Sequence, residues 1–80
     1  MEFKDKLYDL RKQKGMSQEE LALRLNVSRQ TVSKWELGDS TPDMEKLVTI
    51  SNLFEISLDE LVKIWKNSRT SSSRSKNYFF

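Results

Sequence analysis

Eighty residues, 36% of them hydrophobic and 32% charged, suffice for one small core and not for a second, catalytic lobe. Cys is absent, which excludes disulfides and thiolate metal sites; His is absent, which removes the commonest base and metal ligand near neutral pH, so no metal, no cofactor and no enzyme is expected. The formal charge of +2 is small, and no apolar run approaches the ~20 residues of a membrane helix, so a cytoplasmic protein with no membrane partner is expected.

Phe3, Leu7 and Leu10 recur at i, i+4, i+7 ahead of Gly15, which predicts a first helix stopped by a glycine cap. The stretch MSQEELALRL opens a second. Ser17 is its N-cap, Glu20 three residues later completes a capping box, and Met16 is placed to staple onto Leu21. Its apolar stripe is Leu21, Ala22 and Leu25. Asn26 tolerates the left-handed conformation and ends this helix, and Ser28 caps a third two residues later.

In the third helix Val32 and Trp35 lie on one side, with Gln30, Ser33, Lys34 and Leu37 on the other and Arg29 in the first turn. Two apolar residues cannot hold so short a helix in water, so packing on Leu21, Ala22 and Leu25 must fix it. Its outward polar face is then held stiffly. Gln suits adenine, Arg and Lys suit guanine, and Ser or Thr reach several base edges, all on a helix narrow enough for a DNA major groove.

After Gly38 the loop DSTPD leads to Asp43, the expected cap of a fourth helix with a stripe of Met44, Leu47, Val48, Ser51 and Phe54, ending near Glu55. Ser57 and Glu60 form a second capping box, with Ile56 placed to staple onto Leu61; Leu58, Leu61, Val62 and Trp65 make the fifth stripe. Residues 1–66 are therefore read as one domain. Residues 67–80, Ser-rich and carrying Arg69, Arg74 and Lys76 without an acidic group, are read as a flexible basic tail. Tyr78, Phe79 and Phe80 at its end are either a disordered terminus or a handle for a protein partner.

The stretch SQEELALRLNVSRQTVSKWELG resembles the helix-turn-helix of the phage repressor and Cro family of DNA-binding domains, also called the xenobiotic response element type. Gln18, Glu20, Leu21, Ala22, the Val27-Ser28 turn, Val32 and the closing Trp35-Glu36-x-Gly38 carry it, and Gly15, TPDMEKL and ISLDEL extend it over roughly residues 3–66. The resemblance implies an all-α, compact five-helix domain whose second and third helices form the motif. It implies a transcriptional regulator, a dimeric repressor on two-fold symmetric double-stranded DNA, reading the major groove with the third helix. A protein-binding module of the same fold, an antitoxin or an adaptor, is the alternative.

Residue by residue, the resemblance implies that Gln18, assisted by Ser17, binds a phosphate at the start of the second helix. Arg29, Gln30 and Lys34 face base edges, with Ser28, Thr31 and Ser33 touching bases or backbone. Arg11 and Glu36 match positions that form a structural ion pair. Two departures weaken the attraction for DNA beyond the third helix: Leu37 stands at an outward site that is often polar, and Asp39 and Asp43 stand where cations would serve better. Leu53, Ile56 and Ile64, left over from the buried stripes, are candidates for a homodimer surface.

Overall fold

The computed structural model describes the backbone of residues 2–74 and the side chains of residues 2–66. Five helices follow one another: α1 (Phe3–Gln13), α2 (Gln18–Leu25), α3 (Arg29–Leu37), α4 (Met44–Phe54) and α5 (Leu58–Arg74). No strand occurs among the described residues. The fold is all-α, as the periodicities require. The backbone of α5 passes residue 66, where the sequence reading ends the domain, and runs to Arg74; a helix already nucleated gains one hydrogen bond for each residue added. The reading of Tyr78, Phe79 and Phe80 falls outside the described residues.

The starts of α2, α3, α4 and α5 are each fixed by a side chain of the expected type, whereas Glu2 ahead of α1 makes no side-chain cap. The hydroxyls of Ser17 and Ser28 accept from the N–H groups of Glu20 and Thr31 at 3.0 and 3.1 Å, and Asp43 Oδ1 accepts from Lys46 N–H at 3.0 Å. Ser57 caps α5 in the same way, from Glu60 N–H at 3.3 Å. Both capping boxes are only half made: the Glu20 carboxylate leans along α2 towards Arg24, at 3.5 Å, a solvent-exposed partner one turn on.

The four inter-helix corners repeat one device, in which two backbone N–H groups beyond the helix return to its last carbonyls around a left-handed residue. The bonds are Gly15 to Lys12 and Met16 to Arg11, Asn26 to Leu23 and Val27 to Ala22, Gly38 to Trp35 and Asp39 to Lys34, and Glu55 to Asn52 and Ile56 to Ser51. Glycine or asparagine occupies the left-handed position at three corners. At the fourth it is Glu55, with φ +56°. Glutamate has no short side chain to satisfy itself there, so this corner carries strain that the packing on either side maintains.

The core draws on all five helices: Phe3, Leu7 and Leu10 of α1, Leu21, Ala22 and Leu25 of α2, Val32 and Trp35 of α3, Leu47, Ile50 and Phe54 of α4, and Leu61 and Trp65 of α5, with Met16 between α1 and α2. Packing corrects the α4 stripe. Met44 and Val48 face solvent, and Ile50 is fully buried in their place beside Leu47, Ser51 and Phe54. Leu58 and Val62, expected in the α5 stripe, are only half-buried at its edge, as are Leu53, Ile56 and Ile64.

Two long-range bonds brace the frame around α3. Trp65 Nε1–H donates to the Pro42 carbonyl at 2.9 Å, which ties the loop following α3 to α5. Lys46 Nζ donates to the Leu25 carbonyl at 2.9 Å, so α4 supplies a cation to the C-terminal end of α2, where the helix dipole favours one.

Candidate nucleic-acid interface

The α2–α3 corner is rigid because both of its sides are fixed. α2 packs on α3 more extensively than any other pair of helices pack on each other. Val32 is fully buried, and Trp35 and Ala22 nearly so. Small Ala22 keeps the two axes close, and Val27 N–H returning to the Ala22 carbonyl at 3.0 Å pins the turn to the same residue. The inner side of α3 is spent on this contact. Its outer side is therefore presented at one angle, with no freedom to rotate.

On that outer side Arg29, Gln30, Ser33 and Lys34 line one open concavity of about 390 Å³. Arg29, Gln30 and Lys34 are exposed and Ser33 is half-buried at the floor. Leu37 continues the same face one turn further and is 68% exposed. Ser28 and Thr31 border neither this hollow nor the one described next. Their hydroxyls bond each other at 2.9 Å, and Ser28 also caps the helix, so their first task is local.

A second concavity, of about 610 Å³, opens at the start of α2 and is lined by Arg11, Lys12, Gly15, Met16, Ser17, Gln18, Glu19 and Arg29. First-turn N–H groups of a helix lack intrahelical acceptors, and Ser17 satisfies only that of Glu20. The open N–H groups, the helix dipole and the ammonium of Lys12 together make this hollow attractive to an anion. Arg29 borders both concavities. Nothing in the spacing of Lys12 marks it in the sequence as facing α2.

Behind the second concavity lies a buried ion pair. Arg11 Nε and Nη2 donate to Glu36 Oε2 and Oε1 at 2.7 and 3.0 Å, and Arg11 Nη1 donates to the Met16 carbonyl at 2.9 Å. The two side chains are 9% and 6% exposed. The hydrogen bond to Glu36 raises the Arg11 pKa; burial opposes this, and the charges of Glu36 and Tyr8 add to it. A folded-state pKa raised in this way gives stability that is lost as the pH rises through arginine's own titration, in strong alkali. The guanidinium carbon also lies 5.4 Å from the centre of the Tyr8 ring.

Gln18 is half-buried, and its amide is already engaged: Nε2 donates to Glu36 Oε1 at 3.1 Å, and Oε1 faces Arg29 Nη1 at 3.5 Å. One of its two amide N–H groups remains for a phosphate. At the far end of α3 the alkyl chain of Lys4 crosses Gly38, where a Cβ would lie 3.0 Å from Lys4 Cδ. Gly38 is left-handed as well, at φ +82°, so both backbone and neighbour favour glycine there.

Two short helices locked at a fixed corner, the second exposing a polar face, find a match among known proteins: the sequence profile of the helix-turn-helix family aligns with residues 7–61. The chain belongs to the Cro/C1-type helix-turn-helix family. The chain is similar, at 50% identity over 62 residues, to the HTH-type transcriptional activator BcrR of Enterococcus faecalis, a match covering 78% of this chain and 30% of that protein. It is 37% identical over 65 residues to the cryptic phage CTXphi transcriptional repressor RstR of Vibrio cholerae, covering 81% of this chain and 58% of the repressor. A crystal structure of a transcriptional regulator from Listeria innocua superposes with a TM-score of 0.71 at 37% identity, over 75% of this chain and 56% of that one. The matches thus span between 30% and 58% of the length of these relatives. Among the described residues no helix is long and apolar enough to cross a membrane.

Proposed function

We propose that this helix-turn-helix domain is a sequence-specific double-stranded DNA-binding unit of a transcriptional regulator, with residues 1–66 as the DNA-binding domain. The observation that carries the reading is the single concavity formed by Arg29, Gln30, Ser33 and Lys34 on a helix whose other side is locked into the core. In this reading α3 enters the major groove. Gln30 reads adenine, and Arg29 and Lys34 read guanine, because these side chains match the donor and acceptor pattern of those base edges. The start of α2 rests on a phosphate held by its open N–H groups, the remaining amide N–H of Gln18 and the Ser17 hydroxyl, with Ser28, Thr31 and Ser33 touching the backbone or bases beside it.

One helix reads only a few base pairs, at about 1–3 kcal/mol each, which is too little to single out a site in a genome. The reading therefore includes a homodimer on a two-fold symmetric site, with half-sites one helical turn apart. The relatives named above include an activator and a repressor, so the shared α2–α3 unit serves either sign. Of the two signs, repression is the one proposed here, since a domain seated on DNA represses a promoter it overlaps. Catalysis has no part in this reading.

The test is selection from a pool of random duplexes, followed by titration of the selected duplex across a range of salt. Enrichment of a symmetric sequence, with affinity falling steeply as salt rises, is the expected result. A chain that enriches nothing, or whose binding ignores salt, is not a DNA-reading protein.

A further inference from the structure

Leu37 breaks the pattern of the face on which it stands. Gln30, Ser33, Lys34 and Leu37 follow one another at i, i+3, i+4 and i+7, which places all four on one stripe of α3. The first three can form hydrogen bonds through their side chains; Leu37 cannot. It is also idle in the fold. Its side chain is 68% exposed, whereas the half-buried apolar residues Leu53, Ile56, Leu58, Val62 and Ile64 all rest against the core. Val32 and Trp35 lock the opposite side of the helix, and its end is closed by backbone bonds from Gly38 and Asp39 that need nothing from the Leu37 side chain.

An apolar side chain gains from an interface only where it meets another apolar group. Among the hydrogen-bonding atoms of the major groove, the base edges of unmodified DNA offer one such group, the C5-methyl of thymine. Leu37 stands ~4.5 Å beyond Lys34 along the helix axis, at ~1.5 Å per residue, which is a little more than one base-pair step of ~3.4 Å. We propose that Leu37 is a specificity residue: it packs on the methyl group of a thymine one step beyond the base pair read by Lys34, on the side away from that read by Gln30. This inference rests on the DNA-reading function proposed above and extends the sequence that α3 reads by one position.

The experiment takes the duplex selected by the unaltered chain, replaces each thymine in turn by deoxyuridine, and measures the affinity of the unaltered chain, Leu37→Ala and Leu37→Met for every duplex. Selection with Gln30→Ala and with Lys34→Ala marks the positions those residues read, and far-UV circular dichroism establishes folding. Deoxyuridine lacks the methyl group and keeps every hydrogen-bonding atom of the base edge. For the unaltered chain, replacing one thymine per half-site, next to the Lys34 position, weakens binding about fourfold, equivalent to ~0.8 kcal/mol for one methyl group. Leu37→Ala weakens binding to the parent duplex and makes that same replacement silent, a coupling that a general loss of affinity does not produce. Leu37→Met keeps the coupling, because its flexible apolar chain still covers the methyl. The absence of any thymine sensitive to replacement, a cost that persists unchanged in Leu37→Ala, or a sensitive thymine on the Gln30 side of the Lys34 position each overturns the proposal while leaving DNA reading intact. So does a dimer that Leu37→Ala dissociates in sedimentation, which assigns this side chain to a protein contact. Failure of the unaltered chain to select any duplex overturns both.

Discussion

Removing Arg11 while leaving Glu36 in place tests the buried pair most severely. In Arg11→Met the Glu36 carboxylate, 6% exposed, loses donors at 2.7 and 3.0 Å and keeps only the Gln18 amide, while the Met16 carbonyl loses its donor at 2.9 Å. An uncompensated buried charge costs about 3–5 kcal/mol, a large share of the ~5–15 kcal/mol that holds a domain together. With a urea m-value of about 1 kcal/mol/M for so small a chain, the midpoint falls by roughly 3 M or more at constant m. The double variant Arg11→Met/Glu36→Met removes both charges together and regains most of the loss, because well-packed apolar groups replace a buried pair at little net cost. Urea unfolding followed by far-UV circular dichroism on the unaltered chain, Arg11→Met, Glu36→Met and the double variant measures the coupling directly. If Arg11→Met costs less than about 1 kcal/mol, or the double variant is as unstable as the sum of the singles, the pair is not the buried anchor described here.

Three further outcomes follow from single positions. Val32→Ala removes two fully buried methyl groups at about 0.8 kcal/mol each and leaves a cavity, for a loss of about 2–3 kcal/mol, whereas Leu37→Ala on the opposite side of α3 stays within about 0.5 kcal/mol; equal losses by urea titration would show that α3 is not locked as described. Glu55→Gly relieves the left-handed strain at φ +56° and raises stability by about 0.5–1 kcal/mol, seen calorimetrically as a melting temperature several degrees higher, and a lower one refutes the strain. Trp65→Phe leaves the Pro42 carbonyl without its 2.9 Å donor and costs about 1–2 kcal/mol in the same assay; no change would mean that water replaces the indole without penalty.

Local chemistry was legible and tertiary choice was not. Ser17, Ser28, Asp43 and Ser57 announce their helices because capping depends on a side chain and the N–H three residues on, all within one turn. Gly15, Asn26 and Gly38 announce the stops for the same local reason. Glu55 gave no such signal, since glutamate is not a residue that favours the left-handed conformation. The α4 stripe was misread because Met44 and Val48 fit a 3.6-residue period as well as Ile50 does, and only the position of the other helices decides which row is buried. At the candidate interface, the outward set of α3 could be read from a helical wheel. The engagement of the Gln18 amide by Glu36 and Arg29 could not, because it joins residues 18 and 11 positions apart in sequence across a packed corner.

The central claim is that the outer face of α3 reads base edges while the start of α2 holds a phosphate. Selection from random duplexes repeated with Gln30→Ala and with Lys34→Ala tests it most directly. The account predicts that each variant loses preference at its own base position, by about 1–3 kcal/mol, and keeps the rest of the selected sequence. A selected sequence unchanged by both substitutions, or a uniform drop in affinity for all sequences, would contradict it.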